Sequence, residues 1–139
     1  MKLGIAVTVV ALALLAPAVH AGEPATVAHA KAAAEAWLAL IDAGRYAESW
    51  VAAASLFTAA VTQPDWERMV KAGRGPLGRL TSRTLQSATF TRTLPGAPDG
   101  EYVVLRYATL FERKASAVEI VTPMRDPDGA WRVAGYYIQ

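Results

Sequence analysis

The sequence predicts an α+β domain in which N-terminal helices cover one face of a curved four-stranded antiparallel sheet. Two observations carry this. Apolar residues recur at a period of 3.6 up to about Leu80, and afterwards β-branched and aromatic residues dominate, alternating with period two. The last third, Glu101 to Gln139, also reads as three strands joined by two tight connections, with Pro95-Gly96-Ala97-Pro98-Asp99-Gly100 leading in.

The chain begins with Lys2, an apolar run from Leu3 to Leu15, and Pro17 before Ala18-Val19-His20-Ala21. A cationic start, a short apolar core and small residues at the end describe a secretory signal peptide cut after Ala21. The run is shorter than the ~20 residues needed to span a bilayer. Residues 22–139 then form one domain, periplasmic or secreted. Its net charge of about +1 does not select nucleic acid or membrane as partner.

From Val27 the residues Ala30, Ala34, Trp37, Leu38 and Ile41 fall at helical spacing in an alanine-rich segment, which Gly44 ends. Tyr46, Trp50, Ala54, Phe57 and Val61 make a second stripe, read as one helix of about four turns. Gln63-Pro64 suits a third helix start, with Asp65 and Glu67 in its first turn and Gly73 as its stop. A first strand is expected over residues 83–94.

Hairpin arithmetic assigns the sheet faces. Turns centred at Ala97/Pro98, Arg113/Lys114 and Pro127/Asp128 place Phe90, Val103, Leu105, Tyr107, Val118, Ile120, Trp131, Val133 and Tyr137 under the helices. The same registers place Thr89, Arg106, Glu119, Val121, Arg132, Ala134, Tyr136 and Ile138 outside. A one-residue slip would exchange faces beyond it.

The closing run Trp131-Arg132-Val133-Ala134-Gly135-Tyr136-Tyr137-Ile138 combines with Arg74-Gly75-Pro76-Leu77-Gly78, with residues 94–102, and with Trp37, Asp42 and Trp50. On these residues the chain resembles an exported bacterial family known as domain of unknown function 4019, over roughly residues 30 to 139. The resemblance implies export and the cone-shaped, cystatin-like fold of nuclear transport factor two and ketosteroid isomerase. It implies no activity and carries over no functional residue.

Among chemical motifs, Gly73-Arg74-Gly75-Pro76-Leu77-Gly78 has the letters of a dinucleotide fingerprint. It follows a helix and precedes a strand, the reverse of what pyrophosphate binding needs, so a helix stop and tight loop is the better reading. With no cysteine, and one histidine (His29) beyond residue 21, neither a metal site, a histidine triad nor any cofactor is expected. No acid stands between Glu67 and Asp99, an interval holding Arg68, Lys71, Arg74, Arg79, Arg83 and Arg92. These are either a patch for an anionic envelope component or a carboxylate ligand or, preferably, scattered arginines paired with acids elsewhere.

The candidate ligand-binding residues are Arg74, Arg83, Tyr107, Arg106, Glu119 and Tyr136. Arg106, Glu119 and Tyr136 share a row of the expected outer face, where a cross-strand ion pair is the plainer role. Asp42 at the first helix end is expected to make local hydrogen bonds. The leading functional expectation is a binding or assembly module without catalysis. The alternative is a cofactor-free enzyme acting on a small apolar substrate, with Asp42 or Glu119 as base beside Tyr107 or Tyr137. Apolar residues on the outer face, Val104, Leu110 and Val121 among them, suggest a homodimer formed sheet to sheet, which Val121→Glu should split.

Overall fold

A computed structural model describes residues 22–139; the expected signal peptide, 1–21, lies outside the described residues. Helix α1 (Gly22–Asp42) begins at Gly22 rather than Val27. Its buried stripe of Ala30, Ala34, Trp37, Leu38 and Ile41 is the predicted one, and small residues there allow close approach to the sheet.

The second stripe is not one helix. It splits into α2 (Tyr46–Val51) and α3 (Ser55–Ala60). At the break the Ala54 N–H bonds the Val133 carbonyl at 2.8 Å, which pulls an extended residue onto the sheet. Asp126 then receives the Ser55 N–H and, at 2.9 Å, its hydroxyl, serving the helix start from a distant loop. The 3.6 period survives across the break because both short helices face the same core.

Helix α4 (Gln63–Arg74) starts as expected, with the Thr62 hydroxyl accepting the Asp65 N–H. It passes through Gly73 into a 3-10 turn, Gly75–Leu77, and ends at Gly78. Gly78 has φ +76°, and a Cβ there would stand 3.0 Å from the Glu112 Cβ, so this position requires glycine.

Strands β1 (Leu80–Thr91), β2 (Tyr102–Phe111), β3 (Lys114–Arg125) and β4 (Trp131–Ile138) form a curved, unclosed antiparallel sheet in sequence order. This is the α+β fold expected, with the first strand starting and ending three residues earlier than read.

The face assignment needs correction beyond β2. Phe90, Val103, Leu105 and Tyr107 do lie under the helices. The β2–β3 turn, however, is Glu112-Arg113, and a bulge in β3 at Ala115-Ser116, opposite Leu110, adds one residue, so Tyr107 faces Glu119 and Leu105 faces Val121. This is the one-residue slip that exchanges faces. The turn is held by backbone bonds from Glu112 N–H to the Arg79 carbonyl and from Arg113 N–H to the Leu77 carbonyl. Glu119 and Val121 are therefore inside, and Val118 and Ile120 outside.

A second bulge follows at Pro123, which has no N–H for a regular ladder. It leaves Ala134 as the extra residue. Trp131 and Val133 before it and Tyr136 and Ile138 after it all turn to the helix side, while Tyr137 faces out. Val121, expected on the dimer face, is a fully buried core residue.

Trp37, Phe57, Trp66 and Tyr136 fill the space between helices and sheet. Ring centroids stand 4.8 Å apart for Phe57 and Trp66 and 5.3 Å for Trp37 and Tyr136, in edge-to-face pairs. Both indole N–H groups at the centre meet Ser49: Trp37 donates to its carbonyl at 2.8 Å and Trp66 to its hydroxyl at 2.9 Å. No helix among the described residues is long and apolar enough to cross a membrane.

Candidate functional site

Three backbone irregularities assemble one polar cluster inside the sheet. A bulge at Gln86 turns Arg83 to the face that also holds Leu85, Ala88 and Phe90. The β2–β3 slip brings in Glu119, and the Ala134 bulge brings in Tyr136. Bulges that re-aim side chains in this way are a recurrent means of building sites.

Glu119 is 0% exposed. One of its oxygens accepts from Arg83 Nε at 2.7 Å and from the Thr109 hydroxyl at 2.7 Å. The other accepts from Arg83 Nη2 at 3.2 Å and from the Tyr136 hydroxyl. The far side of the Arg83 guanidinium grips Asp42 with two bonds of 2.8 and 2.9 Å. One arginine thus joins the end of α1 to β1 and β3, and the hydroxyls add β2 and β4. Bidentate geometry is what makes such a charge tolerable inside.

Burial works against the charged form of Arg83, but hydrogen bonds to Asp42 and Glu119 outweigh it and raise its pKa. Burial, followed by the Glu119 charge, pushes the Tyr136 phenol well above its ordinary value, so Tyr136 stays a neutral donor. Tyr107, across the ladder from Glu119, is raised by burial and by Glu35, whose carboxylate its hydroxyl meets at 3.4 Å.

Of the six predicted residues, the structure brings together Arg83, Glu119 and Tyr136, with Tyr107 adjacent and Arg74 at the rim. Arg74 Nη2 stands 3.6 Å from Asp42, and its guanidinium lies 4.3 Å over the Phe111 ring. Arg106 is not part of the cluster: it is on the opposite sheet face, across from Ser87 and Ile120. The row expected to unite it with Glu119 and Tyr136 depended on the register that the β2–β3 slip breaks. Asp42 serves Arg83 and not its own helix end. Thr109 was legible as a hydroxyl in phase with Val103, Leu105 and Tyr107, but was not singled out.

The remaining arginines of the acid-free interval do not make one patch. Arg68 pairs with Asp65 on α4, and Arg92 covers the Phe90 ring. The glycine-rich stretch joins α4 to β1 and has no helix after it. No cluster of histidine, aspartate and glutamate suited to a metal occurs among the described residues.

A pocket of about 300 Å³ opens beside the cluster, between α4 and the end of β4. Trp66, Met69, Val70, Leu77 and Ile138 supply apolar walls; Arg74, Lys114, Tyr136 and Tyr137 supply polar atoms.

Compared with curated proteins and with solved structures, the chain matches none. A family described as protein of unknown function (DUF4019) matches residues 33–136, a span that holds α2 to α4, all four strands up to Tyr136 and every residue of the polar cluster. The chain belongs to this DUF4019 family.

Proposed function

We propose that this protein is a binding or assembly module of the bacterial envelope, periplasmic or secreted, that performs no catalysis. The observation that carries the reading is the filled interior. A cofactor-free enzyme of the isomerase kind works with an open apolar cavity holding a free carboxylate and proton donors. Here four aromatic rings occupy that volume, and both oxygens of Glu119 are already engaged by four donors. Asp42 is likewise held by Arg83, and Tyr137, the other candidate donor, faces away from the helices. Curvature of the sheet and the helices packed on one face support the further proposal that the family shares the cone of nuclear transport factor two.

Assembly through a second copy is part of this reading. Leu110 and Tyr137, 42% and 53% exposed, lie on the face turned from the helices with half-buried Val104 and Val118, whereas Ile120 on that face is buried. With Val121 in the core, Leu110→Glu replaces Val121→Glu as the substitution expected to split a dimer.

The test of the functional reading is ligand-observed NMR against a library of small ketones, esters and acids. The reading predicts saturable binding by some members and no chemical change in any. Conversion of a compound that disappears in Glu119→Gln would overturn it.

A further inference from the structure

We propose that the cleft between α4 and the end of β4 binds a small organic carboxylate with an apolar body. This rests on the binding reading above and names its site and ligand class. The cleft lining holds two cations, Arg74 and Lys114, and no acid. Lys114 has no ion-pair partner among the described residues. Arg74 is only 5% exposed, yet its Nε–H has no hydrogen-bond partner. A buried donor left unmatched costs about 1–3 kcal/mol; the rest of the guanidinium already meets the Gly78 carbonyl and Asp42, so a ligand acceptor that moved in beside Nε would relieve that cost.

The edge of β4 adds backbone donors, alternating with carbonyl acceptors. Gln139 and Val118 exchange both of their backbone hydrogen bonds, at 2.8 and 3.0 Å. Antiparallel alternation then turns the backbone groups of Tyr136 and Ile138 away from β3, toward the open edge beside the cleft. Further along the same edge the Val133 carbonyl is taken by Ala54.

The rest of the cleft is apolar. Trp66, Val70 and Leu77 line it, and Met69 stands 61% exposed at its mouth. A volume of about 300 Å³ is at the lower end for small-molecule sites, which fits an alkanoate or arylalkanoate better than a larger ligand. Cations and backbone N–H groups select the carboxylate, and the walls select the chain.

Isothermal calorimetry with octanoate, octanol and octyltrimethylammonium tests this. Octanoate should bind saturably, at least roughly tenfold more tightly than the neutral or cationic analogue. Lys114→Glu should weaken octanoate by about tenfold or more, and Lys114→Arg should retain it. Met69→Glu, at the exposed mouth, should act as Lys114→Glu does and serves should that variant fold poorly. Equal binding of octanoate and octanol, or octanoate binding untouched by both acidic variants, would overturn the site. Octanoate bound elsewhere would leave the binding module standing and remove only the cleft, whereas turnover of a ligand would remove the module.

Discussion

Glu119→Ala tests the cluster as the joint between helix and sheet. The substitution removes the carboxylate that receives Arg83 at 2.7 and 3.2 Å and Thr109 at 2.7 Å, together with the Tyr136 hydroxyl. Arg83 keeps both bonds to Asp42, so its charge is not left wholly unmatched. The buried Thr109 hydroxyl and the partly buried Tyr136 hydroxyl lose their acceptor, and a cavity opens where the 0% exposed Glu119 side chain stood. Breaking a buried pair from one side costs about 3–5 kcal/mol. At roughly 4 °C per kcal/mol for a domain of this size, Tm should fall by about 12–20 °C. Arg83→Met/Glu119→Leu removes the pair from both sides, leaving Asp42 beside Arg74, and should cost about 0.5–3 kcal/mol less than the sum of its two single variants. Urea denaturation followed by circular dichroism measures the wild type and all four variants. A loss under about 1 kcal/mol for Glu119→Ala, or additivity in the double variant, would refute the reasoning.

Other predictions follow from the same interior. Tyr107 and Tyr136 have folded pKa values above the ordinary phenol value of 10.0, so as pH rises the unfolded chain loses these protons first. Their contribution to stability is complete below pH about 10 and is lost above it; absorbance at 295 nm should show two phenols ionising only with unfolding. Ser49→Ala deprives the buried Trp66 N–H of its acceptor and should cost about 1–3 kcal/mol in urea denaturation. Light scattering should give a dimeric mass for the wild type and a monomeric mass for Leu110→Glu. Intact-mass measurement of exported protein should show a chain beginning at Gly22.

The period change near Leu80 made the fold class legible, and alanine-rich spacing made the α1 core face legible. Glu119 and Tyr136 were expected in one row and do meet, but on the inner face and with Arg83 in place of Arg106, because each of the three reaches the interior through an added residue. Gln86 is an ordinary polar residue in a strand, and Glu112-Arg113 contains no glycine or asparagine to mark the turn. Pro123 was the one visible sign of an interrupted ladder. Parity counted from the turns therefore placed Glu119 and Val121 outside, and an outer-face ion pair was drawn from what is an interior one. The split between α2 and α3 was hidden for a different reason: it is made by the Val133 carbonyl, a residue 79 positions from Ala54 in the chain.

A crystal structure of the protein soaked with a mixed set of small ligands tests the central claim, a closed interior with binding at the surface. The account predicts ligand density in the cleft against Lys114 and Met69, with the Trp37, Phe57, Trp66 and Tyr136 rings in contact and Glu119 still held by Arg83. A ligand lodged between Trp37 and Tyr136, with Glu119 turned onto it, would contradict the account.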